Sequence, residues 1–216
     1  MNPSGPFKFA VIGQGHIGKR HAEMIRRNSD AQLIAVCDLL NADQTGVKPD
    51  GFAYYTDAET LLKQHPEIEI VHICTPNGLH AQQALMALEH RKHVVIEKPM
   101  ALATADCERI IQKALVQQRQ VFCVMQNRYS PPSVWLKTLC EQNTLGAIYM
   151  VQLNCYWNRD HRYYGKRSWH GTRSLDGGTL FTQFSHFIDI LYWLFGDICN
   201  ISARSMDFNH QSMTEF

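Results

Sequence analysis

No uninterrupted apolar run in the sequence approaches the roughly 20 residues that a membrane-spanning helix needs, and its start, MNPSGPFKF, lacks the apolar core of a signal peptide. These absences predict a chain with no membrane partner, cytoplasmic in location. Charge of one sign is lacking too: 21 basic and 20 acidic residues leave a formal net charge of +1. So balanced a chain offers no electrostatic footprint for nucleic acid or an anionic membrane surface. Paired cysteines are also missing. The seven, at positions 37, 74, 107, 123, 140, 155 and 199, are odd in number, scattered and never in a CxxC arrangement. A disulfide framework is thereby excluded, and reduced core thiols are expected. The 11 histidines recur at no ligand spacing, so no metal site is expected.

What is present is apolar enough to fold. Over 216 residues, 45% are hydrophobic, which suits one large domain or two smaller ones with real cores. Up to residue 125 the pattern alternates strand and helix. Residues 7–12, 33–37, 70–74, 93–96 and 121–125 are nearly continuous β-branched and apolar runs, with 54–55 a brief edge strand. Helical stretches at 16–27, 58–65, after TPNGLH to about 89, and 104–119 separate them. Such runs are typical of parallel strands covered on both faces, and their spacing predicts a doubly wound α/β sheet. Beyond residue 125 the pattern changes. NRYSPP is a turn-rich junction, 132–142 reads as helix, and 147–157 alternates like a long strand. A polar, aromatic loop follows, then a helix over 181–195 and a strand over 198–208. These features predict a domain of residues 1–125 and a second, thin one of 126–216.

The motif GQGHIG, Gly13 to Gly18, follows the first strand and opens the first helix. In that context G-x-G-x-x-G cradles a pyrophosphate. Gly13 makes the tight turn, Gly15 lets backbone approach, Gly18 lets the helix pack closely, and the helix N-terminus faces the negative charge. Gln14, His16 and Ile17 complete the loop as candidate cofactor contacts. Asp38 ends the second strand 20 residues after Gly18, where a carboxylate accepts both ribose hydroxyls of NAD and repels the 2′-phosphate of NADP. No basic residue immediately follows it, so NAD is favoured and NADP remains possible.

Thr75-Pro76-Asn77 and Glu97-Lys98-Pro99 each lie just past a strand, at the carboxyl edge where open α/β sheets bind ligands. Asn77 and His80 either touch the cofactor or cap and solvate the helix that follows. Lys98 has two readings: its ammonium polarises a substrate oxygen, or it forms a structural pair with Glu97. In the 181–195 helix, Thr182, His186 and Asp189 share one face at helical spacing, flanked by Leu180, Phe187, Ile190, Leu191 and Leu194. His186 is then either an active-site group or a satisfied core histidine. The loop NRDHRYYGKRSWHGTRSLDGG carries Arg159, Arg162, Lys166, Arg167, Trp169 and Arg173 among aromatics. Its local positive charge suits an anionic substrate, or a solvated loop or subunit contact.

Taken in order, GQGHIG, Asp38, TPNGLH, EKP and GGTLFTQFSHFIDILYWLFG resemble the Gfo/Idh/MocA oxidoreductase family along nearly the whole chain. The resemblance implies a Rossmann domain followed by an α/β (α+β) domain with an open, mainly antiparallel sheet. It implies NAD- or NADP-dependent oxidation of sugars, inositols or sugar nucleotides by a homo-oligomer joined through the second domain. The loop composition is similar to enzymes acting on the 3-hydroxyl of UDP-N-acetylglucosaminuronic acid. A sugar dehydrogenase, an inositol dehydrogenase or a non-catalytic dinucleotide binder are the alternatives. By resemblance Lys98 is the catalytic lysine, Pro99 follows a cis peptide bond, and His186 takes part in proton transfer. Tyr129, Trp169, Arg173 and Thr182 fall on the substrate side. Thr182 stands where many members carry aspartate, which departs from the usual Asp-x-x-x-His pair. Family members also continue well past the point matching Phe216, so a truncated form with an incomplete second sheet is expected.

Overall fold

The computed structural model describes residues 5–165, 168–207, 210, 214 and 215. The chain divides into two compact units, Met1–Val124 and Met125–Phe216.

In the first unit, strands and helices alternate as β1 (Phe7–Ile12), α1 (His16–Arg27), β2 (Ala31–Cys37), α2 (Ala42–Thr45), β3 (Ala53–Tyr55), α3 (Ala58–Gln64), β4 (Ile70–Ile73), α4 (His80–Glu89), β5 (His93–Ile96), α5 (Thr104–Gln117) and β6 (Val121–Cys123). All six strands are parallel, in the order β3-β2-β1-β4-β5-β6. This is the doubly wound Rossmann arrangement, and the direction of winding reverses between β1 and β4. Residue parity, broken once by a register shift in β2 between Leu33 and Ala35, sorts the core into two layers. Ala10, Ile12, Ala35, Val71, Ile73, Val94 and Ile96 face Leu61, Leu62, Ala84, Leu88 and Ile110 of α3, α4 and α5. Val11, Leu33 and Val36 face Ile25 of α1 on the other side. Burial on both faces is why these strands read as unbroken apolar runs.

Several bounds differ from expectation by one or two residues. β6 stops at Cys123, short of 125, and the short helix α2 was not legible in the sequence. A capping box holds α2, in which the Asn41 side chain accepts from Gln44 N–H while the Gln44 side chain accepts from Asn41 N–H. Its single turn is too brief for a hydrophobic period to show.

The second unit contains α6 (Pro131–Glu141), α7 (Arg173–Asp176), α8 (Thr179–Thr182) and α9 (Ser185–Phe195). Residues 147–157 and 198–207, expected as strands, pair with nothing as a ladder, and Phe208 lies outside the described residues. Among the described residues this unit has no strand, so the open antiparallel sheet expected of it is not formed. Alternation marks a segment suited to a sheet, but a strand exists only through hydrogen bonds to a neighbour. The expected helix over 181–195 is two helices. Thr182 ends α8, and Gln183, with φ of −114°, breaks the run before α9 begins at Ser185. Thr182 and His186 therefore do not share a helical face. Side chains hold this end in place: the Thr182 hydroxyl donates to Asp176, and Gln183 is buried.

All seven cysteines are free thiols, although only Cys37 and Cys74 are fully buried. Burial, helped by Asp57 and Asp38, pushes the Cys37 thiol up to about 12, and burial beside Glu97 also raises Cys74. Both stay protonated and inert. Among the described residues no helix is long and apolar enough to cross a membrane, and no cluster of side chains could hold a metal ion.

Candidate active site

The glycine loop joins β1 to α1 at the carboxyl edge of the sheet, and each glycine has its own reason to be there. Gly13 has φ of +92°, and a Cβ on it would meet the Cys74 carbonyl oxygen at 2.6 Å. Gly18 is buried in the first turn of α1, where a Cβ would lie 1.8 Å from the Gly13 oxygen. The close packing is thus of helix against glycine turn. A Cβ on Gly15 would meet nothing within 4 Å, so this residue keeps an open face beside the N-terminus of α1, where no side chain caps the helix. An uncapped N-terminus beside open space fits a pyrophosphate. His16 is exposed and Ile17 half-buried on the same turn, while the Gln14 side chain is buried and donates to the Gly13 carbonyl at 3.0 Å.

Asp38 follows β2 on the neighbouring strand. Its Oδ2 accepts from Gln14 N–H at 2.6 Å and its Oδ1 from Leu40 N–H at 3.0 Å. These bonds orient the carboxylate against the glycine loop and leave further lone pairs for ribose hydroxyls. The residues just after it, Leu39 and Leu40, are exposed and apolar. Nothing basic stands there to receive a 2′-phosphate.

Past β4, Thr75 donates its hydroxyl to Gln83 at 2.6 Å, and Pro76 leads into a single 3₁₀ turn at Asn77–Leu79 with Asn77 buried. His80 is 1% exposed. Its Nδ1 lies 2.7 Å from the Pro99 carbonyl and its Nε2 2.8 Å from the Thr75 carbonyl. Burial lowers its pKa, while the two carbonyl acceptors and Glu97 pull it back upward. This ring braces the Thr75 and Pro99 loops against each other. Past β5, the Lys98–Pro99 peptide is cis. Glu97 is buried, accepting from His21 Nε2 at 3.0 Å and from Lys98 N–H at 3.2 Å. Lys98 is half-buried. Gly13, Gly15, Gly18, Asp38, Thr75, Glu97 and Lys98 thus converge on one sheet edge, held by strands that are distant in sequence.

In the second unit, Gln126–Tyr129 forms a 3₁₀ turn that leaves Tyr129 83% exposed. Asp189, on the same helix as His186, holds a neighbouring turn. Its carboxylate accepts two bonds from Arg128, at 2.8 and 2.5 Å, and this bidentate grip raises the Arg128 pKa. His186, one turn earlier on α9, has Nε2 3.5 Å from the Gln126 amide nitrogen. Thr182 is buried, and its hydroxyl donates to the Asp176 carbonyl at 3.1 Å and to the Asp176 carboxylate. Asp176, itself buried, also accepts from Gly171 N–H at 2.7 Å. A carboxylate therefore touches Thr182, although none occupies its position.

The basic loop is stacked. The Arg159 guanidinium lies 4.4 Å from the Trp157 ring centroid and 4.3 Å from that of Tyr163. Tyr163 stacks on His170 at 4.0 Å, and His170 meets Trp169 at 3.9 Å. Arg173 donates its guanidinium to the Glu215 carbonyl at 2.8 Å and its N–H to the Glu215 carboxylate at 2.6 Å. Lys166 and Arg167 lie outside the described residues. Sequence reasoning passed over Gln126, Arg128, Asp176, His21 and His72. For His21 and His72 a signal existed: each is polar on a stripe or run that must be buried.

Known proteins resemble this chain along most of its length. Residues 7–125 match the family described as "Oxidoreductase family, NAD-binding Rossmann fold", and residues 134–215 match the "GFO/IDH/MocA C-terminal domain". An uncharacterized oxidoreductase of Synechocystis is 30% identical over 94% of this chain and 55% of its own length. The inositol 2-dehydrogenase of Salmonella typhimurium is 28% identical over 88% of this chain and 55% of its own. Among solved structures, the WlbA dehydrogenase of Chromobacterium violaceum, in complex with NADH and UDP-GlcNAcA, superposes with a TM-score of 0.83 at 35% identity. That match covers 88% of this chain and 56% of the other. Its counterpart from Bordetella pertussis, with the same ligands, gives 0.83 at 33% identity, over 89% and 56%. The chain spans little more than half the length of these relatives.

Proposed function

The chain belongs to the Gfo/Idh/MocA oxidoreductase family, with an NAD-binding Rossmann domain, and from that premise we propose that the protein oxidises a secondary hydroxyl of a sugar or nucleotide sugar. The 3-hydroxyl of a UDP-N-acetylhexosaminuronic acid is the favoured substrate. One observation carries the reading: the uncapped α1 N-terminus, open Gly15, Asp38 and Lys98 share one sheet edge. Bound NAD supplies the hydride acceptor. Gly13, Gly15 and Gly18 with Gln14, His16 and Ile17 hold its pyrophosphate, and Asp38 holds its ribose in preference to the 2′-phosphate of NADP. Thr75, Pro76, Asn77 and Glu97 line the same edge.

In this reading the Lys98 ammonium hydrogen-bonds the substrate oxygen and stabilises the charge that develops there. His186 takes the hydroxyl proton, since an imidazole near neutral pH is a competent base and a threonine hydroxyl is not. Thr182 acts through the fold by fixing Asp176. An anionic substrate is supported by the stacked Arg159, Tyr163, His170 and Trp169, and by the UDP-GlcNAcA bound in the similar WlbA structures. Tyr129 and Arg173 belong to the same proposal. Assembly through the second unit does too, supported by the exposure of Tyr149, Met150 and Tyr156. Inositol is the second substrate reading, favoured by the inositol 2-dehydrogenase relatives.

A panel of nucleotide sugars, simple sugars and inositols, read at the nicotinamide absorbance, tests this directly. UDP-N-acetylhexosaminuronic acid is expected to reduce NAD fastest. Lys98→Met should lower kcat by about 10² or more with NAD affinity unchanged. His186→Ala should be far more damaging than Thr182→Val. NAD binding with no turnover on any substrate would instead establish a non-catalytic dinucleotide binder.

A further inference from the structure

Three titratable side chains line up inside the first unit, behind the edge that faces the cofactor. His72 sits in the middle of β4, where alternation turns it away from Val71 and Ile73 and toward α1. His21 lies on the stripe Gly18, His21, Ala22, Ile25, the face by which α1 meets the sheet. The rings meet edge to face at 5.0 Å, with His72 also against Phe9 at 5.4 Å. Their Nδ1 atoms are 2.8 Å apart, and the far nitrogen of His21 lies 3.0 Å from Glu97 Oε1. The other Glu97 oxygen accepts from Lys98 N–H at 3.2 Å. Side-chain exposure of only 14% for His21 and 7% for Glu97 leaves water little room to compete.

With His21 neutral, the contacts allow one polarity. An ionised carboxylate only accepts, so His21 Nε2 must carry a hydrogen and donate it. His21 Nδ1 is then a bare lone pair, and the contact at 2.8 Å requires the hydrogen on His72 Nδ1. His72 has one hydrogen to give, because burial, with the nearby His21, lowers its pKa to about 3 and keeps the ring neutral.

We propose that His72 and His21 are positioning residues for the catalytic lysine. The directed chain His72 Nδ1–H to His21, His21 Nε2–H to Glu97, with Glu97 Oε2 receiving Lys98 N–H, holds Glu97 as an oriented acceptor and pins the Lys98 backbone. Its consequence for turnover rests on the role proposed for Lys98; the hydrogen-bond chain itself does not.

Long-range proton–nitrogen correlation on the whole chain, labelled with ¹⁵N-histidine, reads the tautomers. The expected signature is Nδ1–H on His72 with Nε2–H on His21. Hydrogen exchange at the Lys98 amide reads the pinning. His72→Phe should raise it about tenfold, the loss of roughly one hydrogen bond, while His21, still facing Glu97, should keep its Nε2–H. His72→Gln, which can still donate, should restore the slow exchange. Glu97→Gln, nearly the same shape, should also raise Lys98 exchange, and it covers the case in which His72→Phe does not fold. In a turnover assay with the identified substrate, His72→Phe should lower kcat with NAD affinity unchanged. The opposite tautomers, or Lys98 exchange unaltered in Glu97→Gln, would overturn the proposal. Unaltered turnover in Lys98→Met alongside an intact tautomer signature would sink the catalytic reading of Lys98 and leave the chain standing.

Discussion

The first unit covers its strands and the second does not. In the first, β1, β3, β4 and β5 are each followed by a helix that packs on the sheet, so strand, cover and neighbour come from adjoining sequence. In the second, residues 147–157 and 198–207 carry the apolar alternation of strands yet form no ladder, and Tyr149, Tyr156 and Ile201 stand exposed. The difference lies in where the partners come from. A βαβ unit brings its own, whereas an antiparallel edge depends on a neighbour supplied from elsewhere. Helices escape the problem, because their hydrogen bonds are internal. That is why α6 and α9 form where the neighbouring strands do not.

The contrast is tested most strongly at glycine. Gly18→Val drives its side chain into the Gly13 carbonyl, so α1 must move off the phosphate loop. Stability should fall by about 2–3 kcal/mol, and NAD affinity should drop by a factor of about 10² or more. Gly196→Ala, at φ of +86° and ψ of −155° in open space at the end of α9, should cost about 1–3 kcal/mol of backbone strain. NAD affinity there should not change. Urea midpoints and calorimetric titration of both variants decide it, and comparable NAD losses would erase the distinction.

Core deletion gives the next largest separation. Leu61→Ala removes a fully buried side chain from the first unit and should cost about 3 kcal/mol. Tyr149→Ser trims a side chain that is 95% exposed and should stay within about 0.5 kcal/mol. A large loss in the second variant, measured on the same chain, would mean that residue 149 is covered in solution.

Acid supplies a graded test. The folded pKa of His72 lies far below its ordinary value of 6.5, so between 6.5 and about 3 the unfolded chain binds a proton that the folded chain refuses. Its effect on stability is therefore absent above pH 6.5 and becomes a growing penalty as pH falls. The slope is up to about 1.4 kcal/mol per pH unit, and buried His80 acts in the same direction. Urea melts of the whole chain across this range should show the decline, and His72→Phe should flatten it. An unchanged slope in that variant would remove His72 from the account.

Much of the first unit was legible because its signals are local. Unbroken apolar runs mark strands covered on both faces, and GQGHIG with Asp38 marks a phosphate turn and a ribose contact through spacing alone. The second unit was less so. The stretch 181–195 has a convincing helical period, but its break at Gln183 goes with burial of that side chain and the Thr182 bond to Asp176, which no period reports.

By itself, then, the sequence determined which segments are helix or buried strand in the first unit and which residues end strands at the carboxyl edge. Backbone preference and hydrophobic period are properties of neighbours in the chain. Only the tertiary structure decided that Asp189 binds Arg128, that Thr182 meets Asp176 away from α9, and that His72, His21 and Glu97 join in one chain. A hydrogen bond requires its two atoms to come within about 3 Å at the right angle, and for residues that lie 51, 61 or 76 positions apart only the packing of whole elements brings them there.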